Sequence, residues 1–268
     1  MANPNYAPGQ VAGQRAAELD AGLRAHMNKV YALMGGAMVI TGFVAYFFGM
    51  DLKVLSDAAR AAQAGNAVGE VNTLLPVGLL VTLYTPPVVY GIMFAPLLFV
   101  FGLGAIINRA SIGTAQTMFW VFAAVMGLSL ASIFVRFTGV SIAQAFFATA
   151  AAFGALSIYG YTTNKSLQGL GTFAIMGLFG AIVLMLLNFF FFESSALGMA
   201  LQVVILLASC ALTAYHTQQI KSEYLYYRGQ AGMGDMVERG AIHGALGLYI
   251  NFINIFISLL SLFGQSNE

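Results

Sequence analysis

Apolar residues in this chain come in long blocks, and the length of the blocks sets the first expectation. A helix needs roughly 20 apolar residues to cross the hydrocarbon core of a bilayer. Seven segments reach or approach that length: about 30–50, 88–107, 117–137, 142–161, 172–192, 197–220 and 241–263. The stretch from Leu74 to Tyr84 is apolar but too short to span, and Pro76, Pro86 and Pro87 isolate it. It reads as an interfacial or re-entrant piece following a polar stretch from Asp51 to Asn72. Residues 1–29 are polar and Ala-rich, with no apolar run before Val30 to serve as a cleavable signal. They read as a cytoplasmic tail, with the first span as an uncleaved anchor, 30–263 as the transmembrane domain and 264–268 as a short C-terminal tail. The fold class expected is an all-α integral membrane protein with seven transmembrane helices.

Polar residues inside the last two blocks are ordered. In the seventh, Gly240, Gly244, Gly247, Asn251, Asn254, Ser258 and Ser261 recur at intervals of three or four, which places them on one helical face. Leu246, Leu248, Ile250, Phe252, Ile253 and Phe256 occupy the rest. Small residues permit close approach of neighbouring backbones, and Gly240-x-x-x-Gly244 opens the stripe. The pattern predicts a tightly packed central helix, and it also suits a polar pathway lined at the level of Asn251 and Asn254. The sixth block has a weaker stripe of Gln202, Ser209, Thr213 and His216. Intramembrane polar side chains are costly unless they face protein or water, so His216 and Asn251 are functional candidates. From the rise per residue Asn251 lies roughly 15 Å into its span and His216 roughly 9 Å shallower. Asn188 reads as an interhelical hydrogen bonder, His243 as interfacial, Arg136 as snorkelling from the outer end of the third span, and Trp120, Tyr159 and Tyr161 as interface-belt residues.

Composition supports the membrane class: 59% of the 268 residues are hydrophobic and only 8% charged. Ordinary soluble domains carry roughly a quarter charged residues. A net charge of +1 gives no global attraction to nucleic acid. With seven spans and the N-terminus inside, eight Lys and Arg fall on the cytoplasmic side and three (Lys53, Arg60, Arg136) outside, which fixes the expected orientation. The ten acidic residues fall outside the span interiors, so no metal site is expected. Cys210 is the single cysteine and reads as a small buried hydrophobe. Gly127-Leu128-Ser129-Leu130 lacks the second glycine of an intramembrane serine protease, and no zinc-spaced cluster, phosphate loop or dinucleotide fingerprint occurs. An enzyme is not expected, nor a cofactor.

Several segments, in order, resemble bacterial members of the Bax inhibitor-1 (TMBIM) family. They are Ile107-Asn108-Arg109-Ala110-Ser111, Phe119-Trp120, Gly127-Leu128-Ser129-Leu130, Phe153-Gly154-Ala155-Leu156-Ser157, Gly160-Tyr161-Thr162-Thr163, Leu212-Thr213-Ala214-Tyr215-His216-Thr217-Gln218 and Leu248-Tyr249-Ile250-Asn251-Phe252-Ile253-Asn254. The resemblance covers about 88–263 and implies a multi-pass protein of the bacterial inner membrane with the last of seven helices at the centre of the bundle. It also implies a pH-modulated calcium leak, with calcium as permeant ion, or, alternatively, a non-conducting regulator of a membrane-bound AAA protease. In the family two aspartates, one on each of the last two spans, share a proton as a pH sensor. Here those positions are His216 and Asn251. The expected site is therefore an altered sensor or gate at His216 and Asn251, with Gly247, Asn254 and Ser258 on the last helix and Thr213, Gln218 and Arg109 as partners. An amide does not titrate, so the acid dependence of a carboxylate pair is expected to be lost or changed.

Overall fold

The computed structural model describes residues 8–66, 70–106, 111–228, 230 and 232–267. Among them are helices α1 (Pro8–Gln63), α2 (Val77–Tyr84), α3 (Val88–Ile106), α4 (Ile112–Leu130), α5 (Ile133–Arg136), α6 (Gly139–Thr162), α7 (Gln168–Leu187), α8 (Ser195–Arg228) and α9 (Gly234–Phe263). Six are long and apolar enough to cross a membrane, and α2 with α3, bent by 66°, makes a seventh span if counted together. The seven expected spans are thus present. The apolar piece at 74–84 belongs to the second of them as a bent outer arm: Tyr84 donates to the Leu128 carbonyl at 2.9 Å and Leu80 is fully buried.

Helix ends follow local chemistry. Ser111 accepts from the Thr114 amide at the start of α4, and Thr138 accepts from the Ser141 amide at the start of α6, each satisfying a backbone donor that the helix cannot. The third expected span divides at Ala131–Ser132 into α4 and the short α5. α7 finishes in a π turn, Asn188–Phe192, and Glu193 takes a left-handed φ of 47°. Asn188 is not the interhelical bonder expected. Its amide both accepts from the Ser194 amide and donates to the Ser194 carbonyl, closing this turn within its own chain segment.

Helical boundaries exceed the hydropathy boundaries. α1 runs through both the expected tail boundary at 29 and the polar stretch after 50, and Leu23, His26, Met27 and Asp51 are all buried. Asp51, only 3% exposed, accepts from the amides of Leu74 and Leu75 at 3.0 and 2.8 Å, tying the far end of α1 to the start of the bent arm. At the same end of the bundle the last residues are docked. Thr138 donates its amide to the Gln265 carbonyl, and the Asn267 side chain donates to the carbonyls of Phe134, Val135 and Phe137.

α9 lies at the centre, as expected from its stripe, and packs on α1, α4, α6 and α8. Tyr249, wholly buried, is the pivot: Phe119 and Phe122 of α4 meet its ring edge-on, and its hydroxyl donates to Thr41 Oγ1 of α1 at 2.6 Å. Thr41 in turn donates to the Ala123 carbonyl at 2.8 Å. In a water-poor core this relay satisfies each polar atom in it and fixes three helices in register. α6 and α8 approach so closely that a Cβ on Gly160 would collide with the Ala214 backbone.

Candidate functional site

The most extensive contact in the bundle is between α8 and α9, and Gln202, His216, Asn251 and Ser258 meet along it. At its centre Asn251 Nδ2 donates to His216 Nδ1 at 3.1 Å. Asn251 is 2% exposed and His216 half-buried. The expected offset in depth between the two is not observed. α8 continues for roughly three turns beyond His216, and α9 starts roughly two turns before residue 241, so the helices meet by their own register and not by their apolar edges.

Gly247 lets the ring in. A Cβ there would stand 3.2 Å from His216 Nδ1, so a side chain would press on the imidazole from the turn before Asn251. Gly244 plays the same part against Ile220, with 2.7 Å between a notional Cβ and Cγ1, whereas Gly240 faces open space. The tight part of the stripe therefore begins at Gly244.

The neutral pair is chemically self-consistent. With Asn251 donating, Nδ1 of His216 is the acceptor and its hydrogen sits on Nε2. If Nδ1 acquires a proton, the amide turns over and presents Oδ1. An amide can thus partner either state of the ring, whereas two carboxylates at this distance cannot both ionise without repelling each other.

Around this pair the other expected partners divide. Thr213 and Thr217 are buried but bond within α8, to the carbonyls of Ser209 and Thr213. Ser258 donates to Gln202 Oε1 at 3.0 Å, a second polar link between α9 and α8 further along the seam. Asn254 is half-buried. Gln218 is not a partner of the pair. Its side chain accepts from the Leu167 amide and donates to the Lys165 carbonyl, both at 2.8 Å, because it faces α7. Arg109 lies outside the described residues. Ser129 is structural, donating to the carbonyls of Ile92 and Val125.

The structure adds residues that hydropathy had set aside. A cavity of about 270 Å³ opens between α8 and α9 on the side of their connecting loop, with His216 at its inner end and Gln219, Glu223 and His243 along it. Gln219 donates to Glu223 Oε1 at 2.7 Å. Glu223, read as lying outside the spans, is half-buried here because α8 stays helical to Arg228 and carries it onto the face of His216 two turns later. The spacing of 216, 219 and 223 on one helix was the available signal. The described residues contain no group of three or more His, Cys, Asp or Glu able to hold a metal ion. Deeper in the seam Ser209 Oγ is fully buried and lacks a hydrogen-bond partner.

These features define a multi-pass helical membrane protein whose central helix carries a polar seam closed by a side-chain contact. The family described as "Inhibitor of apoptosis-promoting Bax1" matches residues 23–268, and the chain belongs to it. It is 36% identical over 248 residues to the inner membrane protein YbhL of Escherichia coli K12, covering 91% of this chain and 93% of that one. It is 35% identical over 266 residues to an uncharacterized protein of Caulobacter vibrioides, covering 99% and 98%. A Rickettsia prowazekii protein, also uncharacterized, is 34% identical over 249 residues, covering 93% of each. The protein is a multi-pass protein of the bacterial inner membrane.

Proposed function

We propose that this protein passes calcium slowly across the inner membrane along the seam between α8 and α9, and that the His216–Asn251 contact is the latch closing it. The observation carrying this reading is the position of that contact. It roofs a cavity bearing Glu223, an anionic ligand suited to a hard cation, and beyond it the seam continues through the unpaired Ser209 and the Ser258–Gln202 bond. The excess of Lys and Arg on the side of the N-terminus places the cavity mouth in the cytoplasm. The latch is held by an amide, which bonds either protonation state of the ring, so flux varies only shallowly with pH.

Calcium flux into proteoliposomes, followed with an entrapped dye across the neutral range, tests this. The wild type gives a leak with a weak pH response. The double variant His216→Asp, Asn251→Asp gains a steep one, since two carboxylates in contact must share a proton. A wild type that leaks no faster than empty vesicles overturns the reading.

A second reading, a non-conducting regulator of a membrane-bound AAA protease, is favoured by one feature. Leu225, Tyr226 and Met236 are exposed on the extensions of α8 and α9 beyond their apolar blocks, near Lys221, Arg228 and Arg239. Changing these three to polar residues then abolishes co-purification of the protease while leaving calcium flux intact. Deleting residues 1–19 tests the tail while leaving the buried Leu23 and Met27 in place. No catalytic role is proposed.

A further inference from the structure

α1 and α6 both pack on α9 but scarcely on each other, leaving a cleft between them. Towards the end of the bundle that holds Asp20 and Tyr161, the cleft widens to a cavity of about 690 Å³. This is the size of sites that hold small molecules, roughly 300–1,000 Å³. Its walls are graded. Met27, Tyr31 and Phe153 make the deeper part largely apolar, while Asp20, Arg24 and Asn28 make the outer part polar. Between the two lies Ser157, 6% exposed, whose buried hydroxyl has no hydrogen-bond partner among the described residues.

An orphaned hydroxyl in this setting costs free energy unless something fills the cavity and bonds it. The occupant must be amphiphilic, with a polar end at Arg24 and a hydrogen-bonding group near Ser157. Ser157 lies one helical turn, roughly 6 Å, inward of Tyr161. Arg24 lies six residues before the first apolar block, roughly 9 Å, which sets it in the headgroup layer. The polar end of the cavity is zwitterionic. Arg24 Nη2 and Asp20 Oδ2 pair at 2.7 Å with both side chains largely exposed, so each keeps bonding capacity. Nearby cations are engaged elsewhere: Lys29 pairs with Glu238, and Lys221 donates to the Tyr161 carbonyl.

We propose that the cleft between α1 and α6 binds one glycerophospholipid with a phosphoethanolamine headgroup. The phosphate accepts from Arg24, the ammonium donates to Asp20, an ester carbonyl accepts from Ser157 Oγ, and an acyl chain runs inward past Gly154 and Phe153. A glycerol headgroup offers Asp20 only neutral hydroxyls and no positive charge to offset its carboxylate, and a choline headgroup has no N–H to give it. The inference does not depend on ion conduction.

Native mass spectrometry of the full-length protein, delipidated in detergent and titrated with phosphatidylethanolamine or phosphatidylglycerol of identical chains, tests it. The expected result is one tightly held phosphatidylethanolamine in preference to phosphatidylglycerol. Arg24→Gln weakens it roughly ten-fold, the loss of a charge-assisted hydrogen bond. Gly154→Leu removes it, because Gly154 lines the cavity and a Cβ there meets nothing within 4 Å, so the added side chain fills the site without disturbing the bundle. Ser157→Ala, which shrinks the side chain and strains nothing, weakens binding several-fold. Equal binding of the two lipids, or phosphatidylethanolamine retained unchanged in Gly154→Leu or in Ser157→Ala, overturns the proposal and leaves only annular lipid.

Discussion

Replacing Asn251 by Leu removes the amide that meets His216 while keeping the branched outline of four heavy atoms, so no cavity opens. Asn251 is almost wholly buried, and its partner's Nδ1 would be left facing hydrocarbon. Hydrogen bonds between transmembrane helices contribute about 0.6 kcal/mol on average and up to about 1.7 kcal/mol. An acceptor left unpaired in a dry site adds a desolvation penalty of about 1–3 kcal/mol. The single substitution is therefore expected to cost about 2–4 kcal/mol. His216→Phe should cost a similar amount, since it strands the amide instead. The double variant strands neither group, so it should be less destabilised than the sum of the singles by about 2–3 kcal/mol. Reversible unfolding of the reconstituted protein by SDS in mixed micelles measures all three. Strictly additive losses would refute the claim that this bond holds α8 to α9. If the bond is also the latch, Asn251→Leu raises calcium flux in the same preparations.

Gly240→Ala, facing open space inside α9, should gain about 0.5–1 kcal/mol from helix propensity, whereas Gly247→Ala places a methyl group against the His216 ring and should lose that gain in the same assay. Thr41→Val breaks the relay joining α1, α4 and α9 and leaves the Tyr249 hydroxyl without its acceptor; a loss of about 1–2 kcal/mol is expected, read by the same unfolding measurement. Asp51→Ala frees the amides of Leu74 and Leu75, so limited proteolysis within 70–76 should accelerate, and Asp51→Asn, which keeps one acceptor oxygen, should show a smaller increase.

The placement of His216 shows where reading along the chain stops. Its helical stripe set it on one face of its span and only the family resemblance paired it with Asn251, while the expected depth put the two at different levels. Helix continues wherever backbone hydrogen bonds and tertiary contacts favour it, and apolar composition marks only the part immersed in lipid. Once α8 is extended to Arg228, Glu223 moves from a connecting loop into the cavity below the latch. Gln218 failed as a partner for the converse reason: adjacent to the right residues in sequence, it points roughly 200° around the helix from His216 and caps the start of α7.

The sequence by itself determined the membrane class, seven spans and the central position of α9, because these rest on composition and period, properties of a segment alone, and it indicated the family through a run of motifs in order. It also determined that no carboxylate pair can exist at His216 and Asn251. Tertiary structure decided the rest: that those two side chains meet, that Gly247 and not Gly240 makes room for the ring, that Asp51 and the last residues pin the far end of the bundle, and that α1 and α6 leave a cleft with an unpaired hydroxyl in it. Each of these depends on the relative register of helices distant in the chain, and register is set by the packing of whole faces against one another, which no local pattern encodes.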